Sequence, residues 1–179
     1  MLILSRDKRV RRICLDAVLC TLAMMLSYLE YLLPLELLIP LPGFRLGLAN
    51  LVALVAFSLL SRYDAAVISA LRILLMGLLF GSATSLYFSA LGGLCSYLML
   101  LLLSVIGKRC SYFGVSVLSA AAHNFGQILA AVTLFGSSVL LSYLPLLLIS
   151  SVFFGGIVGG LLNLIMPRLQ CALEGGQRI

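Results

Sequence analysis

Six apolar segments follow one another along this chain, and that succession limits its fold more than any other feature. They are Ile13 to Leu33, Leu46 to Leu60, Ala65 to Phe80, Leu86 to Ile106, Val115 to Leu134 and Tyr143 to Met166. A membrane-crossing helix needs about 20 apolar residues, and the second and third segments fall at the short end of that requirement. Soluble domains carry about 25% charged residues. Here only 10% are charged, 63% are hydrophobic and the mean hydropathy is +1.20. Such a chain cannot cover itself with a water-facing surface. The expected fold is an all-α integral membrane protein, one domain over 1–179 with six transmembrane helices in the bacterial inner (cytoplasmic) membrane.

The net charge of +6 reports topology here, not nucleic-acid binding, because cytoplasmic loops retain Lys and Arg. With the N-terminus inside, the inner segments hold Arg6, Lys8, Arg9, Arg11, Arg12, Arg62, Lys108, Arg109, Arg168 and Arg178, ten of the twelve basic residues. Arg45 is the only one in an outer loop, and Arg72 lies inside the third segment. Both termini are therefore expected in the cytoplasm, as a basic N-terminus over 1–12 and a polar tail over 170–179. The first apolar run exceeds the roughly 7–15 residue core of a signal peptide and leads into Pro-Leu-Glu, so it is expected to be a retained helix. The outer loop at 34–45 holds Pro34, Pro40 and Pro42, which stiffen it into a candidate lid.

Polar groups at membrane depth are functional candidates, since placing them there is costly. Arg72 falls about eight residues into its helix, about 12 Å deep. Its bland alternative is a structural arginine paired with Asp16 or Glu30, or bonded to carbonyls. His123 is expected at similar depth, and Ser116, Ser119, His123 and Gln127 follow the spacing of one helix face. Asn124 is turned about 100° from that face, toward a neighbouring helix. These amides and the imidazole suit either a heteroatom-rich ligand or interhelical hydrogen bonds. Ser85 and Ser89 are weighed equally between ligand contact and close helix packing, whereas Gly92, Gly93, Ser96 and the glycines at 155, 156, 159 and 160 are assigned to packing.

Placed at common depth, Arg45, Asn50, Ser85, Ser89, Arg72, His123, Asn124 and Gln127 would line a pocket open to the outside. Phe44, Tyr87, Phe88 and Phe125 are its candidate aromatic lining. Two arginines with little acid around them suit a small anionic ligand. The chain has no GxxxxGK[ST] loop for nucleotide hydrolysis. Its six acids, Asp7, Asp16, Glu30, Glu36, Asp64 and Glu174, never pair closely enough for magnesium–diphosphate chemistry. Five cysteines without a CxxC pair, and one distant His, give no metal site. No catalytic residues are assigned, and the chain is not expected to be an enzyme.

The stretch PGFRLGLAN, the intramembrane Arg72, SLYFSALGGLCSYLM (Ser85 to Met99) and AAHNFGQ (Ala121 to Gln127) together resemble one family. It is the bacterial membrane family named heptaprenyl diphosphate synthase component I, also called the Gx transporter family. Its plan is similar to the S components of energy-coupling-factor vitamin transporters, which implies an S-component-like bundle. The transporter name implies uptake of a vitamin-like solute, with a flavin (riboflavin, FMN or FAD) as the expected transported ligand and no catalytic cofactor. The synthase name implies, alternatively, a non-catalytic membrane subunit of a polyprenyl (heptaprenyl) diphosphate synthase. By resemblance Arg45, Asn50, Arg72, His123, Asn124 and Gln127 are the residues carried over. An ATP-driven coupling module would dock on a small-xxx-small pair of the first helix, for which Ala17 and Thr21 are a poor match. The expected partners are otherwise the lipid bilayer and a small anionic molecule.

Overall fold

The computed structural model describes the backbone of residues 2–33, 47–106 and 111–175, with side chains described over 9–33, 47–106 and 111–171. Its helices in chain order are α1 (Leu2–Leu32), α2 (Asn50–Leu59), α3 (Arg62–Leu79), α4 (Ala83–Ile106), α5 (Tyr112–Phe135) and α6 (Leu144–Gly175). A 3-10 helix, Ser138–Tyr143, leads into α6. Each of the six expected segments thus falls on a helix.

Local chemistry sets several of the boundaries. Ser61 caps α3, its hydroxyl accepting the Asp64 N–H at 3.3 Å, and Asp64 places a negative charge on the positive end of the helix macrodipole. Ser111 caps α5 in the same way, accepting from the Gly114 N–H at 3.2 Å. At its other end Gly136 turns left-handed at φ 64°, and its N–H bonds back to the Val132 carbonyl. Pro167 sits within α6, which continues well past the expected end at Met166.

Four stretches, Arg9–Leu32, Ala83–Ile106, Tyr112–Phe135 and Ser138–Cys171, are long and apolar enough to cross a membrane. The second expected span is corrected. Of Leu46 to Leu60 only the 10 residues Asn50–Leu59 are α-helical, about 15 Å at 1.5 Å per residue against a hydrocarbon core of about 30 Å. The apolar run outlasts its helix because Gly47 has φ +79° and the chain turns through Leu48 and Ala49 before α2 begins. α3 carries Arg62, Asp64 and Arg72 within its 18 residues, which keeps its apolar character low.

α5 packs between α4 and α6, and α3 packs against α1, α2 and α4. The short α2 touches all five other helices. It is the central plug of the bundle, and Asn50, Val52, Leu54, Val55 and Ala56 are buried on it. The surface is apolar, with Val105, Leu78 and Ile149 among its most exposed large side chains. The interior holds Ser27, Glu30, Asn50, Arg72, Ser96, Ser119, His123, Asn124 and Gln127. Apolar outside and partly polar inside is the inverse of a water-soluble domain. The chain is a multi-pass membrane protein.

Candidate functional site

The buried polar residues meet where α2 begins. Three turn bonds, each to the carbonyl three residues back, lead into it: Asn50 N–H to Gly47, Leu51 N–H to Leu48, and Val52 N–H to Ala49. The Leu48 N–H lies outside this set and donates to the Glu30 carboxylate of α1. A carboxylate here also offsets the positive end of the α2 dipole. Glu30 is almost fully buried, so this contact joins α1 to the plug deep inside the bundle.

One turn back along α1, Ser27 is fully buried. Its hydroxyl accepts a hydrogen bond from Arg72 Nη1 at 3.0 Å. Arg72, only 6% exposed, thus finds on α1 a partner that its own helix does not offer. At the N-terminal end of α3, Arg12 of α1 bonds both carboxylate oxygens of Asp64 at 2.6–2.9 Å and the Ser61 hydroxyl at 3.0 Å. α1 and α3 are therefore tied at two heights by arginines.

On the other side of α2, His123 of α5 lies between two glycines. A methyl added at Gly92 of α4 would come within 2.8 Å of His123 Cε1 and 3.1 Å of Gln127 Cγ. A methyl added at Gly47 would meet Asn50 Nδ2 at 3.1 Å and His123 Cδ2 at 3.4 Å. Gly92, which the sequence assigns to packing, is thus the position that seats His123 and Gln127 against α4. Below them Ser96 and Ser119 share a hydrogen bond of 2.7 Å between α4 and α5.

The structure brings some of the expected site residues together and separates others. Asn50, His123 and Gln127 gather around Gly47 and Gly92, and Asn50 shares a cleft with Arg72. Asn124 turns toward α6, where its Nδ2 donates to the Leu147 carbonyl at 2.8 Å and the Ser150 hydroxyl at 3.3 Å. Ser89 is buried on α4 and Ser85 is half-buried. The expected aromatic lining is corrected in part. Phe125 is 49% and Tyr87 39% exposed, because their positions fall on the outer faces of α5 and α4. Phe88 is buried, but against Ala130 and Ala131. Arg45 and Phe44, with the lid at 34–45, lie outside the described residues.

Two clefts border Asn50, each a cavity of about 10 Å³, room for about one water. One is lined by Gly47, Leu54, Ser116, Ala120 and residues of α6. The other runs between α2, α3 and α4 and is lined by Ser69, Arg72, Ser96, Tyr97 and Leu100. Binding sites for drug-sized molecules run to about 300–1,000 Å³, so neither cleft alone holds a flavin. Among the described residues no three His, Cys, Asp or Glu side chains gather as a metal site. Sequence reasoning did not single out Ser27, although it stands three residues before Glu30 on one helix face, which is the spacing that would have flagged it.

A helical membrane bundle with a polar interior is a class that holds both carriers and membrane subunits of larger enzymes. Over residues 19–165 the chain matches the family model of heptaprenyl diphosphate synthase component I, and it belongs to that family. No curated protein and no solved structure matches it. The match gives the flavin expectation no support. Of the two functions expected from the sequence, the family match fits the synthase subunit better.

Proposed function

We propose that the chain is the non-catalytic membrane subunit of a polyprenyl diphosphate synthase, holding a soluble catalytic partner at the cytoplasmic face. The carrying observation is the family match across residues 19–165. The scattered carboxylates support it, because chemistry on a magnesium-bound diphosphate needs clustered acids, which a partner would have to supply. Arg9, Arg12, Arg62 and Arg168, all exposed, form a basic rim that lies in the cytoplasm if the charge rule sets the orientation. A soluble partner with an acidic face fits such a rim.

Co-expression with the soluble synthase subunit tests this reading. The subunit is expected in the membrane fraction when the chain is present and in the soluble fraction when it is absent, with an altered product length. A soluble subunit that ignores the chain, with unchanged products, overturns the proposal.

A solute-carrying role is the second reading, and the half-length α2 favours it. Helices interrupted at mid-membrane place substrate sites in many transporters, and the buried amides gather where α2 begins. Coupling to an ATP-driven module through Ala17 and Thr21 has little behind it, since the Thr21 hydroxyl is turned onto the Ala17 carbonyl at 2.9 Å.

A further inference from the structure

The two clefts beside Asn50 are too small for an organic molecule, but the one between α2, α5 and α6 has the chemistry of a hydration site. Gly47 and Asn50 line it at the start of α2, Ser116 and Ala120 line it from α5, and Gly155 from α6. Asn50 is 7% exposed, and its Nδ2 has no hydrogen-bond partner among the described residues. That Nδ2 lies 3.1 Å from the point where a methyl on Gly47 would stand, with His123 Cδ2 3.4 Å from the same point. The orphan donor thus points to the Gly47 side of α2, the side this cleft borders. Ser116, 2% exposed, adds a hydroxyl that can both donate and accept. Buried donors are almost always satisfied, and one without a protein partner calls for another acceptor.

We propose that this cleft holds a single ordered water, which accepts a hydrogen bond from Asn50 Nδ2 and bonds the Ser116 hydroxyl. Size, polarity and charge each narrow the choice to water. A cavity of about 10 Å³ is at the lower limit for one water and excludes anything larger. Cavities stay dry when their lining is apolar, and this one carries an amide and a hydroxyl. Among the described residues no charged side chain lines it, so an anion would be buried there without a counter-charge. A metal cation needs several oxygen ligands, whereas Asn50 turns an N–H donor toward the space. A water bridge is enthalpically nearly as good as a direct hydrogen bond, and its middle member can be exchanged. The start of α2 is then joined to α5 through a replaceable guest, deep inside the bundle. This hydration site does not depend on whether a synthase docks.

The test is water-edited solid-state NMR on the full-length chain in lipid bilayers, with ¹⁵N-labelled asparagine. The chain has three asparagines, Asn50, Asn124 and Asn163, and single substitutions at Asn124 and Asn163 assign their side-chain signals. Asn124 is the dry reference, because its Nδ2 donates to the Leu147 carbonyl at 2.8 Å. Polarisation from water is expected to reach the Asn50 amide and not the Asn124 amide. Ser116→Val removes the hydroxyl and fills the cleft, so loss of the Asn50 transfer is expected, with a shift of its amide resonance as the acceptor disappears. If Ser116→Val fails to fold, Ala120→Val fills the cleft from one turn further along α5 and decides in its place. The proposal is overturned if no transfer reaches Asn50 in the wild type. It is equally overturned if the transfer survives in the filled variant, since the water then lies elsewhere.

Discussion

The α4–α5–α6 side of the bundle closes by backbone approach, whereas the α1–α2–α3 side closes through charged and polar side chains. A methyl added at Gly126 of α5 would lie 2.5 Å from the Leu91 carbonyl oxygen of α4. One added at Gly155 or Gly159 of α6 would lie 2.9 or 2.7 Å from a Cα of α5. On the other side Arg12 holds Asp64, Arg72 holds Ser27, and Glu30 holds the Leu48 N–H. Glycine contacts in a membrane gain dispersion over a wide area and admit no alternative geometry. Side-chain bonds between helices are individually weaker and can be exchanged for a ligand. The contrast teaches that one side is a fixed wall and the other an adjustable one, and the cleft beside Arg72 lies along the adjustable one.

Substitutions ordered by expected effect can break this contrast. Gly126→Val should be the most severe, since two backbones must part; overpacking of this kind costs about 1–3 kcal/mol or more. It should remove the folded monomer from size-exclusion chromatography in detergent. Ser27→Ala takes a buried hydrogen bond from a cation, a loss of about 1.5–3 kcal/mol, read as a lowered thermal midpoint with the monomer retained. Asn124→Leu, which cuts the amide bridge to α6, should cost about 1 kcal/mol, because interhelical bonds in membranes average near 0.6 and reach about 1.7 kcal/mol. Arg12→Ala comes last. Its ion pair with Asp64 is half exposed on the arginine side, so a loss below about 1 kcal/mol is expected, shrinking further as salt is added. Should Ser27→Ala prove as damaging as Gly126→Val, the two sides are held equally rigidly and the contrast fails.

Much of this architecture was legible in the sequence, and the reasons are physical. Apolar runs bounded by Ser61, Gly136 and the other turn residues locate helices because a lipid-facing helix is apolar on most of its surface. Hydropathy does not report where a run stops being helical, and so it does not tell the 10-residue α2 from a full span. The buried polar residues were legible for the same reason as the helices: Arg72, His123, Asn124 and Gln127 stand out against an apolar background, and all four are buried. Their partners were not legible. Whether Arg72 meets Ser27 or Asp16, and whether Asn124 faces the site or Leu147, depends on helix rotation and crossing. A residue's own neighbours in sequence carry little of that information. Aromatic residues were the poorest guide. Phe125 and Phe88 look alike in sequence, yet one faces outward and the other fills the core.

The short α2 also bears on how the protein is made. A 10-residue apolar helix is too short to be recognised as a spanning segment, and α3, with Arg72 at its centre, meets a penalty of about 2.5–3.5 kcal/mol on insertion scales. Both segments enter the bilayer less readily than the longer apolar helices do. Their partners for Arg72 and for the Leu48 N–H are both on α1, which is synthesised first. α1 would thus act as the template on which α2 and α3 enter together as a hairpin, so that a residue placed for contact in the finished bundle also directs its assembly.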